Sequence, residues 1–184
     1  GGETGIRRVK CLEGDAVWQA GQKGLYDPKL LEAAIARAKH HSSQLGKRPL
    51  EQLVKKPILF HIQYRDGLKA AVLKVGNDSN RWNFACRVAG ESRPRATALF
   101  NGPWGNRWLF KGLSHAIQAL FIHGREPYPA ERTLLVTGAL ETAVRSYHSG
   151  GKALDTPHLD VAYTPTDVTD FRENGGSWQI ITKQ

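Results

Sequence analysis

The chain has 184 residues, of which 40% are hydrophobic and 23% charged; this composition suits one folded domain and excludes a disordered chain. No apolar run approaches the ~20 residues that span a bilayer, and no signal peptide opens the sequence. The two cysteines, Cys11 and Cys86, fit reduced, buried thiols better than a disulfide framework or a metal site. We therefore expect a cytoplasmic protein without a membrane span.

The net charge of +9 comes from 26 Lys and Arg residues against 17 Asp and Glu residues. Such a balance favours polyanionic partners, so a basic nucleic-acid-binding module is one candidate function. The positive residues are scattered, however, and their densest groups are interrupted by apolar residues or prolines. This distribution is more typical of a solvated surface, or of a face that complements an acidic partner domain.

The first third of the chain predicts a strand followed by two helices. Residues 6–12 alternate weakly, as in a strand, and residues 15–22 form a short helical segment. Asp27-Pro28 provides an N-cap and a first-turn proline for the next helix. The predicted apolar stripe of that helix consists of Leu30, Leu31, Ala34, Ile35 and Ala38. The polar stretch 40–56 is predicted to be a loop.

A hairpin is predicted over residues 57–75, because Asp66-Gly67 separates two β-rich runs and suits a tight two-residue turn. If Arg65 pairs with Leu68, one face is core and the other is more apolar than solvent exposure requires. That second face would carry Leu59, His61, Leu68, Ala70 and Val72. We expect a second copy of the chain to pack on it. The alternative is a cover from loop 40–56 or from the C-terminal segment.

The later part of the chain predicts more strands and two helices. Alternating runs at 82–88 and 95–100 predict two strands, and residues 178–182 predict an edge strand. Residues 107–157 predict helix, proline break, helix, glycine stop and a return to the sheet. The first helix carries the apolar stripe Leu109, Phe110, Leu113, Ala116, Ile117, Leu120 and Phe121. The second carries Val136, Leu140, Ala143, Val144 and Tyr147.

These elements predict one α+β domain over residues 1–184. We expect an open, mostly antiparallel sheet of roughly five to seven strands, with helices packed on one face. The two helical stripes are expected to pack on another layer of the protein.

The segment FKGLSHAIQALFIHGREPYPAERTLLVTGALETAVRSYHSGGKALDTP, residues 110–157, resembles the closing part of the glucose–fructose oxidoreductase and inositol dehydrogenase family. In that family a helix ends in a Gly-Lys/Arg-x-Pro-x-Pro turn, and the next helix ends in Ser-x-x-x-Gly-Lys. Residues 1–39 also resemble, less specifically, the part that follows the family's catalytic helix. The resemblance covers only the C-terminal half of a family member and implies an absent N-terminal Rossmann half. It also implies NAD(P) as the cofactor of a full-length protein. The chain has no methionine and opens on a glycine-rich stretch, so we expect a truncated piece.

No residue set with a recognisable catalytic pattern is present. The sequence lacks Gly-x-Gly-x-x-Gly, a phosphate-binding Gly-Lys-Ser/Thr loop, Gly-x-Ser-x-Gly and paired metal-binding histidines. The Glu-Lys-Pro and Asp/His motifs of the family are also missing. We therefore predict no catalytic residue, no metal site and a domain that does not catalyse alone. A small hydrolase built on Asp155, His158 and Asp160 is an alternative.

The loop at residues 101–108 is the strongest candidate for ligand binding. It combines glycines with two tryptophans and with hydrogen-bonding Asn and Arg side chains. Aromatic rings stack on sugar faces, while Asn and Arg recognise hydroxyl or carboxylate groups. We predict that Trp104, Asn106 and Arg107 bind a sugar-like substrate. The alternative is that the tryptophans fill the seam between helix and sheet.

Overall fold

A computed structural model describes residues 3–38, 48–76, 81–100 and 106–167 of the chain. The strands in these ranges are β1 (Ile6–Glu13), β2 (Ile58–Tyr64), β3 (Lys69–Lys74), β4 (Arg81–Cys86), β5 (Arg95–Phe100) and β6 (Leu154–Asp155). The helices are α1 (Asp15–Gln22), α2 (Pro28–Ala38), α3 (Leu50–Leu53), α4 (Asn106–His123) and α5 (Ala130–His148). The predicted edge strand at residues 178–182 lies outside the described residues.

The strands form two antiparallel sheets. Four strands pair in the order β3-β2-β1-β6, and β4 pairs with β5 in a separate ribbon. The predicted α+β class with an open antiparallel sheet is confirmed. The helices are distributed differently from the expectation of a single covered face, because α5 packs on one face of the four-stranded sheet and α1 on the other.

The hairpin β2–β3 forms where it is predicted, but its register differs by one residue. Phe60 lies opposite Val72, and Tyr64 donates its backbone N–H to the carbonyl of Leu68 at 2.9 Å. The turn is therefore a three-residue loop that ends at Gly67, whose φ is +90°. Oδ1 of Asp66 accepts the N–H of Leu68 at 2.9 Å and stabilises this loop.

This register separates the residues of the predicted self-association face. Leu59 and His61 lie on the α1 side of the sheet, where their exposed fractions are 0% and 3%. Leu68, Ala70 and Val72 lie on the opposite side, with Phe60 and Ile62. The predicted face carrying all five residues is therefore wrong, since strand pairing alternates side chains between the two faces.

Small residues of α5 pack against β1. The buried side of this helix consists of Leu135, Ala139, Thr142, Ala143 and Ser146. Their packing partners on the sheet are Ile6, Val9 and Cys11. Small side chains let a helix approach a sheet closely, and the added Cβ of an alanine at Gly138 would overlap Leu159.

The opposite face of the sheet is covered by α1, which buries Val17 and Ala20 against Leu59. Helix α2 does not join this core. It packs instead on the β4–β5 ribbon. At the N-terminus of α2, Asp27 accepts two hydrogen bonds from the guanidinium of Arg87, at 2.9 and 2.7 Å.

Candidate interaction surface and cavity

Helix α4 exposes most of its large apolar residues. Its less exposed side consists of Gly112, His115, Ala116 and Ala119, which are buried or half-buried. The outward side consists of Phe110, Leu113, Ile117, Leu120 and Phe121, whose exposed fractions run from 40% to 82%. Of the predicted stripe, Ala116 is buried and these five residues are exposed, while the side chain of Leu109 lies outside the described part of the chain. We call these five residues the α4 stripe.

Helix α5 repeats this arrangement. Its predicted core stripe is wrong except for Ala143, because Val136, Leu140, Val144 and Tyr147 are 45–65% exposed. The buried side consists instead of the small residues that pack on β1. The spacing of i, i+4, i+8 and i+11 places the four exposed residues on one flank, and we call them the α5 stripe.

Both stripes are larger than isolated exposed side chains. Each places four or five large, exposed apolar side chains next to one another, and contiguous apolar patches are uncommon on monomeric proteins. Such surfaces mark interfaces with another protein unit, because association removes the apolar side chains from water and lowers the free energy. The two stripes are therefore the main candidate interaction surface.

A half-open cavity of about 230 Å³ lies between α5 and the four-stranded sheet. The sheet contributes the side chains of Ile6, Phe60, Ile62 and Tyr64. Burial is the main cause that raises the pKa of Tyr64 above its usual value, and the neighbouring Tyr163 adds to it. The hydroxyl of Tyr64 therefore stays protonated at neutral pH.

The helical side of the cavity joins the candidate interaction surface. Ala139 and Ala143 form part of its buried wall, while Val136 and Leu140 of the α5 stripe line its exposed part. Arg132 is the one charged side chain among the described lining residues. Its guanidinium carbon lies 5.1 Å from the centroid of the Tyr128 ring, within cation–π range.

Two of the three predicted substrate-binding residues lie in α4. Asn106 and Arg107 begin this helix. Trp104 lies outside the described residues. Their role in binding stays a prediction. The sequence did not predict the cavity residues Arg132, Tyr64 and Tyr163. The cavity is formed by residues that lie far apart in the sequence, so no local motif marks them.

The alternative hydrolase residues are held by arginines. Asp155 accepts a hydrogen bond from Arg8 Nε at 2.6 Å, and Asp160 forms a 2.7 Å ion pair with Arg65. Both contacts anchor the segment after α5 to the sheet. Within the described residues no group of three His, Cys, Asp or Glu side chains could hold a metal ion.

The β4–β5 ribbon exposes two aromatic residues. Trp82 and Phe84 are 66% and 53% exposed and alternate on the strand, so they share its outer face. Two neighbouring arginines are already paired, Arg87 with Asp27 and Arg95 with Glu91. The carboxylates therefore largely balance the charge of the two arginines next to this aromatic face.

No protein family, curated protein or solved structure matches the chain. The family resemblance thus depends on the sequence patterns of residues 110–157 and 1–39 alone, and it stays a prediction. None of the described helices is long and apolar enough to cross a membrane.

Proposed function

We propose that the chain is the substrate-facing and assembly half of an NAD(P)-dependent sugar or polyol oxidoreductase. The pattern of residues 110–157 suggests the family, and the two exposed stripes suggest the assembly role. The nucleotide would be held by a separate Rossmann half, since the sequence carries no nucleotide-binding loop. The chain alone would not transfer hydride.

The observation that carries this proposal is the exposed apolar stripe of α4. An amphipathic helix normally buries its large apolar side chains, and here Phe110, Ile117 and Phe121 face solvent instead. This arrangement suits a helix that receives another folded unit. In the full protein that unit would be the Rossmann half, and for the isolated chain it would be a second copy.

A reducing, cytoplasmic setting fits the two thiols. Cys11 and Cys86 are both free. Burial raises the pKa of Cys11, so this thiol stays protonated and unreactive. The substrate-binding role of Trp104, Asn106 and Arg107 belongs to this proposal as well, with a sugar-like ligand held at the start of α4.

Calorimetry with NADH and NADPH tests the proposal that a separate domain binds the nucleotide. We expect no micromolar binding of either nucleotide by the 184-residue chain. Micromolar binding would mean that the chain contains its own nucleotide site, and the proposal would then fail.

A nucleic-acid-binding module is the second candidate, favoured by the exposed Trp82–Phe84 face and the net charge of +9. The pairing of Arg87 and Arg95 with carboxylates makes it the weaker one. A gel shift with single-stranded DNA and RNA at two salt concentrations separates the candidates. Salt-sensitive binding would favour this second function, and no binding would remove it.

A further inference from the structure

The cavity beneath the α5 stripe is built like a small-molecule site. Its buried wall includes Ile6, Ala139 and Ala143, whose exposed fractions are 1%, 9% and 1%. Phe60 and Ile62 extend this wall across β2. An apolar space of this kind favours hydrocarbon over water, because water finds few hydrogen-bonding partners there.

The size of the cavity limits its ligand. Its volume of about 230 Å³ exceeds the ~150 Å³ of an apolar cavity known to bind benzene. It is smaller than the roughly 300–1,000 Å³ of pockets for drug-sized molecules. A single ring with a short chain, or an aliphatic chain of similar volume, therefore fits.

The polar groups of the cavity select an anion. The guanidinium of Arg132 contacts the Tyr128 ring and pairs with no carboxylate among the described residues. A planar guanidinium binds a carboxylate through two parallel hydrogen bonds. Tyr64 and Tyr163 supply the hydroxyl groups of the lining. A carboxylate at Arg132 would thus pair with a cation at the edge of an apolar space, in a cavity whose lining also includes the two tyrosines.

We propose that this cavity binds a small aromatic or aliphatic carboxylate, with its hydrocarbon part against Phe60 and Ile62 and its carboxylate at Arg132. The proposal uses none of the predicted sugar-binding residues Trp104, Asn106 and Arg107. It does not depend on the proposed oxidoreductase role.

Binding of 3-phenylpropionate and of its neutral counterpart 3-phenylpropan-1-ol, followed by ligand-observed NMR, tests this site. Arg132→Met should weaken binding of the carboxylate about tenfold or more and change binding of the alcohol less than about twofold. Arg145→Met is the matched control, because Arg145 lies on the same helix, is exposed and does not line the cavity. It should leave both probes unaffected.

A second substitution locates the site. Ala139→Leu fills the cavity from the helix and should abolish binding of both probes. If this variant does not fold, Leu140→Trp, at the exposed part of the cavity, serves as the second substitution instead. The proposal fails if the native chain shows no saturable binding of 3-phenylpropionate at up to about 10 mM. It also fails if Arg132→Met and Arg145→Met behave alike, since any attraction would then reflect only the net charge.

Discussion

The backbone N–H of Cys11 on β1 donates a 2.9 Å hydrogen bond to Oγ of Ser146 on α5. The same hydroxyl donates at 2.5 Å to the carbonyl of Lys152, where the chain returns to the sheet. Ser146 is fully buried. One side chain thus fixes a strand, a helix and the segment that follows the helix, and the small-residue side of α5 stays against β1.

Replacing Ser146 by alanine is expected to lower the free energy of unfolding by about 1–3 kcal/mol. The substitution leaves the N–H of Cys11 without its acceptor in a buried position. The control is Ser149→Ala, because Ser149 is exposed and bonds only within its own helix end; its effect should stay within about 0.5 kcal/mol. Urea denaturation measures both values, and equal effects would contradict the role assigned to Ser146.

Two helical glycines should respond to alanine with opposite signs. Gly138→Ala adds a methyl group that overlaps Leu159 and should destabilise the protein by about 1–3 kcal/mol. Gly112 on α4 has open space at the same position, so Gly112→Ala should stabilise by up to about 1 kcal/mol through helix propensity. Thermal unfolding of the two variants checks this. A stabilising Gly138→Ala would show that α5 does not pack as closely as described.

Acid should weaken the fold through His61. Burial, followed by the charges of Lys69 and Lys10, lowers the pKa of this histidine. As the pH falls below about 6.5, the unfolded chain takes up the proton before the folded chain does. Stability is therefore full above that pH and is lost as the pH falls towards the lower pKa of the folded state.

The variant His61→Leu should remove this part of the pH dependence while keeping the site filled. Urea denaturation of both proteins between about pH 5 and 8 gives the difference in unfolding free energy. The free energy of unfolding of the native chain should fall, relative to that of the variant, towards the acid end of this range. A difference that does not vary with pH would show that His61 does not titrate differently in the folded state.

The sequence predicts the positions of the main strands and helices well, because periodicity and capping are local signals. The helix beginning at Pro28 and the glycine ends of α4 and α5 follow from residues close to each boundary. The hairpin register does not follow from such local signals. A two-residue turn of type I′ needs positive φ at both Asp66 and Gly67, and among the described residues only glycines have positive φ, so the loop is one residue longer and ends at Gly67.

The direction of the helical faces could not be predicted from apolarity. A large apolar stripe is expected to point inward, yet α5 places Ala139, Ala143 and Ser146 against β1. Close packing and the hydroxyl bond of Ser146 favour that side, and neither is visible in a hydrophobic pattern. The cavity follows from the same choice, since the larger Val136 and Leu140 remain at its exposed part.

The proposed assembly role depends most on the α4 stripe being an interface. Sedimentation velocity of the native chain, Ile117→Lys and Gln118→Lys at moderate salt tests it directly. Both variants add one positive charge to α4, but only Ile117 belongs to the stripe; Gln118 is a neighbouring exposed residue.

We predict that the native chain and Gln118→Lys associate with increasing concentration, while Ile117→Lys stays monomeric with an unchanged thermal midpoint. Burial of apolar area in the complex accounts for the difference. A native chain that is monomeric at every concentration, with Ile117→Lys lowering the thermal midpoint, would contradict the claim, because Ile117 would then belong to the core of a single chain.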